Sequence, residues 1–336
     1  MTPDEQDIIY MRRCIQLARC GCEGAAPNPM VGAVIVCEGR IIGEGYHRRC
    51  GGPHAEVNAI ASVRAQDMLE RSTLYVSLEP CAHYGKTPPC ADLIVSRHIP
   101  RVVIGCRDPF AKVNGLGIRK LQDAGVEVRV GVLEQECVGL NRRFMTFHRK
   151  HRPWVTLKWA QSADGYIDAC RASHEPAARL SSPYTQVLAH RVRAQDMAIL
   201  VGTDTVIRDN PALTNRLWPG GSPLRLTIDR HGRIPGNARM LDGSVPAHVY
   251  HEETIAQILA DLYLRGVQSL LVEGGAKLLQ SFLDEGLWDE ARVEESPSLL
   301  RAGVRAPLLE GMCLTGRRQV DGHWISHYRR ADGEMW

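Results

Sequence analysis

The sequence predicts two α/β domains in series, and three observations lead there. The chain has 336 residues, more than one typical domain holds. Each half alternates short apolar or β-branched runs with helix-like stretches bounded by Gly and Pro, the pattern of layered α/β folds. Between the halves, the basic segment 141–153 ends in Pro153 and interrupts that alternation. The boundary is placed near residues 148–153, with domains at 1–147 and 152–336. The basic run is short and holds only Phe144 and Phe147 as aromatics, so it reads as a solvated helix end and linker rather than a nucleic-acid footprint.

In the first half, Thr2-Pro3-Asp4-Glu5 is a capping-box pattern with proline at the first helical position, opening a helix to about residue 20. Runs at 31–37 and 40–46, joined by Glu38-Gly39, predict a hairpin. Residues 54–64 read as a helix and 73–78 as a strand ending at Glu79-Pro80. A further helix opens near Ala91. Residues 102–105, 117–124 and 126–130 continue as strand, helix and strand. In the second half, 154–159 is a strand, 183–193 a helix, 198–201 a buried strand, and Gly202-Thr203-Asp204-Thr205 the turn after it. Residues 224–228 form another strand. Residues 268–272 form a strand leading through Glu273-Gly274-Gly275 into a helix to about Asp284.

Composition narrows the function classes. Hydrophobic content of 44% and charged content of 24% are ordinary for a globular protein. A formal charge of +3 does not demand a nucleic-acid partner. No run of about 18 apolar residues predicts a membrane span, and the N-terminal residues lack a signal peptide's basic start and apolar core. Eleven scattered cysteines do not form a disulfide framework, so a cytoplasmic protein is expected. Partners are expected to be small molecules, without nucleic acid or membrane, and self-association is left open.

The chemistry is concentrated in His54-Ala55-Glu56, Pro80-Cys81 and Cys90. One imidazole and two thiolates suit zinc, and three protein ligands leave the fourth tetrahedral position open, as in catalytic sites. Glu56, two residues from His54, is placed for the non-ligand proton carrier of hydrolytic nucleobase deamination. The alternative is a structural zinc knot or ordinary buried thiols, although a structural site normally supplies four ligands. Cys50 lies close to His54 in sequence, but the motif favours Cys81 and Cys90. Eight residues separate those two cysteines, where the usual deaminase spacing is two.

The segments Asn28-Pro29-Met30-Val31-Gly32-Ala33-Val34-Ile35-Val36, Gly51-Gly52-Pro53-His54-Ala55-Glu56, Leu78-Glu79-Pro80-Cys81-Ala82-His83-Tyr84-Gly85-Lys86-Thr87-Pro88-Pro89-Cys90 and Asp108-Pro109 through Gly117 resemble the riboflavin-biosynthesis deaminases of the cytidine-deaminase-like superfamily. That branch has the eight-residue gap with Gly-Lys-Thr-Pro-Pro. The resemblance implies a three-layer deaminase fold, zinc on His54, Cys81 and Cys90, and Glu56 as the catalytic proton shuttle. Ala82 stands where the branch more often has Ser, at a non-ligand position.

In the second half, a strand, Gly-Gly turn and helix can present amides to a phosphate, but alone the signal is equally that of a plain tight turn. The order of Leu157-Lys158 to Gly165, Arg193-Ala194-Gln195 to Thr205, Asp209 to Arg216 and Val272-Glu273-Gly274-Gly275 resembles the reductase domain that follows this deaminase in bifunctional riboflavin enzymes. The resemblance runs from about residue 5 to about 310, and the last 25 residues match poorly while still able to supply closing strands. It implies a dihydrofolate-reductase-like α/β fold using NADPH. Arg193, Leu213, Arg216 and Glu273 fall at substrate-contacting positions, with the two arginines suited to a ribose phosphate. Ala160, Thr205, Asp209, Gly275, Ala276, Lys277, Leu278, Leu279, Gln280 and Ser281 fall at NADPH-contacting positions. Lys158 and Asp164 lie in the Leu-Lys…Asp-Gly motif and line the site, unless they form a plain surface ion pair. Where many members carry Ser-x-Trp-Ile-Thr, this chain has Ala177-Ala178-Arg179-Leu180-Ser181, so those contacts do not transfer and Arg179 is a candidate phosphate contact. The implied function is riboflavin synthesis. The first step deaminates 2,5-diamino-6-(5-phosphoribosylamino)pyrimidin-4(3H)-one to the uracil, and NADPH then reduces ribosyl to ribityl. The alternative is an active deaminase followed by an inert binding or assembly domain.

Overall fold

The structure is a computed structural model that describes residues 2–82, 88–110, 113–172 and 175–331. Its contacts divide the chain into two compact units, the first ending at Lys150 and the second beginning at His151.

The first unit opens with α1 (Pro3–Arg19). Thr2 accepts the Glu5 amide at 3.2 Å and the Glu5 carboxylate accepts the Thr2 amide at 2.8 Å, so the capping box is closed in both directions. Strands β1 (Gly32–Cys37) and β2 (Arg40–Tyr46) form an antiparallel hairpin. Both residues of its turn, Glu38 and Gly39, take positive φ, as a two-residue turn with the native twist requires. Then come α2 (Ala55–Ser62), β3 (Ser72–Leu78), α3 (Cys90–Ser96), β4 (Arg101–Cys106), α4 (Leu116–Asp123), β5 (Glu127–Val130), α5 (Glu134–Leu140) and α6 (Arg142–Lys150). The sheet order is β2-β1-β3-β4-β5, with β3, β4 and β5 parallel.

Strand alternation sends the side chains to two cores. Ala33, Ile35, Leu74, Val76, Val102 and Ile104 pack beneath α2, α3 and α4. Val34, Val36, Tyr75 and Val103 pack against α1 and α5. The result is a helix–sheet–helix sandwich, and β1 is buried along its whole length because both faces are covered. The basic run differs from the solvated end expected of it. It forms α6, whose Phe144, Met145, Thr146 and Phe147 are buried. Its buried residues are consecutive at the centre of the helix, and its basic residues stand at the two ends.

The second unit contains β6 (Trp154–Ser162), β7 (Tyr166–Ala169), α7 (Pro183–Gln195), β8 (Ala198–Gly202), α8 (Thr203–Asp209), β9 (Leu224–Ile228), β10 (Ala247–Tyr250), α9 (Ile255–Leu264), β11 (Ser269–Glu273), α10 (Ala276–Asp284), β12 (Glu290–Ser296), β13 (Gly303–Arg305), β14 (Met312–Val320) and β15 (His323–Arg330). Its main sheet runs β10-β9-β8-β11-β6-β12-β15-β14. The strands from β10 to β12 are parallel, and β15 and β14 are added antiparallel. The poorly matching C-terminal residues thus supply two strands at one edge. One face of the sheet packs on α9 and α10 through Leu157, Leu200, Val272, Ile258 and Phe282. On the other face, Ile199, Val201 and Leu271 meet Val206 and Leu213. The turn expected at 202–205 is instead the start of α8, with Gly202 as its N-cap. No helix of the described residues is long and apolar enough to cross a membrane.

Candidate active sites

In the first unit, α2 lies directly on β2. A Cβ at Gly45 would stand 2.3 Å from the Ala59 nitrogen, and one at Gly43 would stand 2.6 Å from the Ala59 oxygen. Glycine at both places lets backbone meet backbone. His54 is the extended N-cap of α2, and Glu56 sits in its first turn. Cys81 follows the end of β3, and Cys90 opens α3. The His54 Nδ1 is 3.3 Å from the Cys90 Sγ and 3.5 Å from the Cys81 Sγ. The three ligand atoms all lie within 4.8 Å of one another. Atoms bound to one tetrahedral ion at about 2.0–2.3 Å stand roughly 3.5 Å apart, so this nitrogen and sulfur set fits zinc.

Electrostatics follow from burial. Burial pushes the Glu56 carboxyl up to about 7, partly offset by His54. A hydrogen bond with Cys90 holds Cys81 down at about 4, while the same contact pushes the Cys90 thiol up. His47 packs edge-on to His54, with ring centroids 5.5 Å apart. Its Nδ1 donates to the Pro53 carbonyl at 3.0 Å, which leaves Nε2 to accept from the Asn28 amide at 3.2 Å. Burial lowers its pKa and keeps the ring neutral.

These groups surround a cavity of about 240 Å³ bounded by Asn28, His47, Glu56, Cys81, Asp108 and Phe110. Burial raises Asp108 to about 7. Asn28, Glu79 and Asp108 fall within the matched segments without a role that the sequence assigns, and His47 stands outside those segments. Asn28, Glu79 and Asp108 each adjoin a proline, a signal that becomes specific only once the cavity is seen. Residues 83–87, including Gly85-Lys86-Thr87, lie outside the described residues, as do 111–112.

In the second unit, Glu273, Lys158 and Arg292 stand in register across β11, β6 and β12, and so share one sheet face. The Arg193 fork closes on Glu273, with Nε at 3.2 Å and Nη2 at 2.6 Å from its two carboxylate oxygens, while Nη1 donates to the Thr214 carbonyl at 3.3 Å. The two substrate candidates therefore hold each other. Burial opposes ionisation of Glu273, but Arg193 and Lys158 outweigh it and bring the pKa down to about 2. Burial also lowers the Lys158 pKa, against the attraction of Glu273. The guanidinium of Arg292, 3% exposed, has both terminal nitrogens buried without a hydrogen-bond partner among the described residues.

Arg216 is exposed, and its amide donates to the His190 Nδ1 at 2.9 Å. Leu213 has φ of 53° and is only 3% exposed, so its side chain belongs to the core and its backbone alone is left for a ligand. Gly274 and Gly275 take φ of 70° and 69° against Thr205, whose hydroxyl oxygen would be 3.3 Å from a Cβ on Gly275. The expected NADPH stretch divides at this point. Gly275 and Ala276 form the turn and the start of α10, whereas helical periodicity turns Leu279 into the core. Lys277 is exposed and Leu278 partly buried. Gln280 bonds Asp284 and the Leu308 amide, and Ser281 donates to the Lys277 carbonyl. Ala160 lies on β6 opposite Glu294, and Asp209 ion-pairs with Arg171. Asp164 accepts from the Ser162 hydroxyl and from the amides of Leu300 and Arg301, clamping a turn. Arg179 is exposed, and Ser181 donates to Glu294 at 2.9 Å.

Residues 4–106 match the cytidine and deoxycytidylate deaminase zinc-binding region, and residues 153–319 match the RibD C-terminal domain. The riboflavin biosynthesis protein RibD of Aquifex aeolicus is 38% identical over 323 residues, covering 89% of each chain. That of Escherichia coli is 36% identical over 344 residues, covering 92% of this chain and 91% of its own. The solved diaminohydroxyphosphoribosylaminopyrimidine deaminase/5-amino-6-(5-phosphoribosylamino)uracil reductase of Thermotoga maritima is 36% identical. It superposes with a TM-score of 0.89 over 98% of this chain and 100% of its own. Fold and sites together define a bifunctional enzyme, a deaminase followed by a reductase. The chain belongs to the RibD family of riboflavin biosynthesis proteins.

Proposed function

We propose that the first domain hydrolytically deaminates the diaminohydroxyphosphoribosylaminopyrimidine, and that the second reduces the resulting 5-amino-6-(5-phosphoribosylamino)uracil with NADPH. The observation that carries the reading is the convergence of His54, Cys81 and Cys90 beside the buried Glu56 on one cavity. Those three residues would hold zinc, which would supply Lewis acidity and lower the pKa of water at the open fourth position. Glu56 takes a proton from the attacking water and passes it to the departing amine, work suited to a carboxyl poised at about 7. Asn28 and Asp108 offer polar groups to the pyrimidine edge.

In the second domain, the Gly274-Gly275 turn and Thr205 receive cofactor phosphates, and Arg216 receives the substrate phosphate. NADPH would supply the hydride at C1′. Conversion of ribosyl to ribityl breaks the C1′–ring-oxygen bond, and that oxygen takes up a proton. Lys158, beside Glu273 on the sheet face and made more acidic by burial, supplies that proton in this reading. The cysteines are all free, which suits a reducing compartment such as the cytoplasm.

The test is Glu56→Gln. It should retain zinc and lose deamination by about 100-fold or more, the scale of general acid–base catalysis. Reduction of the already deaminated substrate should survive. Deamination at the wild-type rate would overturn the assignment.

A further inference from the structure

Glu79 is 4% exposed and stands two residues before Cys81. Its carboxylate accepts four backbone amides from a single segment of chain. The Asp108 and Gly115 amides reach Oε2 at 3.3 and 3.1 Å, and the Gly117 and Ile118 amides reach Oε1 at 3.1 and 3.3 Å. That segment runs from the exit of β4 to the first turn of α4, and it carries Asp108, Phe110 and Val113 of the deaminase cavity. The junction has no slack. A Cβ on Gly117 would stand 2.0 Å from the Pro80 carbonyl oxygen, while the Glu79 amide itself donates to the Cys106 carbonyl at 3.0 Å.

A carboxylate with four amide donors is a strong local organiser, because each is a charge-assisted bond made out of water. Fold stability alone does not explain its place. The bonds join the turn that presents Cys81 to the opposite wall of the same cavity. We infer that Glu79 is a positioning residue of the deaminase, setting the Asp108–Phe110–Val113 wall at a fixed distance from the metal-ligating turn and so fixing the grip on the pyrimidine. The inference rests on the deaminase reading of this cavity. A displaced wall weakens ground state and transition state alike, which raises KM and spares kcat.

The experiment compares full-length wild type, Glu79→Gln and Gly117→Ala. Each is assayed for zinc per chain, deaminase KM and kcat, reductase activity, and hydrogen exchange at the 115, 117 and 118 amides. Glutamine keeps one acceptor oxygen and turns an NH₂ toward the other amide pair. Deaminase KM should therefore rise roughly 10-fold or more, the worth of a hydrogen bond to a charged group. Zinc, kcat and reductase activity should hold while exchange at those amides accelerates. Gly117→Ala, which forces the same joint apart, should raise KM likewise. A wild-type KM in Glu79→Gln overturns the inference, and so does zinc loss that accounts for its defect. A wild-type chain that binds zinc but does not deaminate would instead sink the reading of the site.

Discussion

Replacing Glu273 by glutamine should destabilise the second domain by about 3 kcal/mol at neutral pH. The magnitude comes from the depression of its pKa from the ordinary 4.5 to about 2, at about 1.4 kcal/mol per unit. At 7% exposure, little of that is lost to solvent screening. The sign is that of a stabilised carboxylate. The contribution is complete above pH 4.5 and disappears as pH falls toward 2, so wild type and mutant should converge over that interval. Loss of the charge also leaves Arg193 and Lys158 without their shared counter-ion, the situation in which a broken buried pair costs most. All six tryptophans lie at or beyond residue 154. Five of them, from Trp154 to Trp324, lie in the second unit, so intrinsic fluorescence during urea unfolding reports chiefly that domain. A mutant within about 0.5 kcal/mol of wild type at pH 7, the ordinary range of surface substitutions, would refute the argument that Arg193 and Glu273 form a desolvated pair.

Cys81→Ser or Cys90→Ser should each abolish tight zinc binding by metal analysis, because a hydroxyl is a poor substitute for thiolate. Retention of one zinc per chain would count against the ligand set. Burial, with Arg193 and Arg216 nearby, lowers the His190 pKa below 6.5, so the ring accepts the Arg216 amide in its neutral form. As pH falls below 6.5 and through the depressed value, protonation removes that acceptor and reductase KM should climb. His190→Asn, with a non-titrating acceptor, should flatten the acid limb, and an unchanged profile would dismiss the idea. Gly275→Val should weaken NADPH in direct titration while deamination continues, because a branched residue is strained at positive φ and closes on Thr205. Unaltered NADPH affinity would remove that turn from the cofactor site.

The deaminase centre was legible because its residues are few, chemically distinctive and carried by short motifs. His54 and Glu56 share one helical turn, and Cys81 and Cys90 bracket one segment. Strands β3, β4, β5, β6, β8, β9 and β11 were legible from their apolar or alternating runs. What escaped depends on long-range pairing. Glu79 reads as one more acidic residue until four amides from beyond residue 107 close on it. Arg193 reads as a phosphate ligand until Glu273, eighty residues away, fills its fork. Leu213 kept its place in the motif, but burial of its side chain altered what it can offer a ligand. The strands β12, β14 and β15 are rich in charge, and β14 is an exposed edge, so they lack the apolar signature by which strands are recognised.

The seating of α2 on Gly43 and Gly45 has a consequence for metal retention. Because main chain rests on main chain there, the depth of the helix is set by hard contact instead of by deformable side-chain packing. His54 and Glu56 ride on that helix, whereas Cys81 and Cys90 come from other elements. One methyl group at Gly45 would thus act as a shim. It would lift the histidine and the glutamate together, preserve their spacing, and widen only the gap between imidazole and thiolates. A chain carrying Gly45→Ala should therefore retain less zinc by metal analysis, although the glycine lies outside the ligand set.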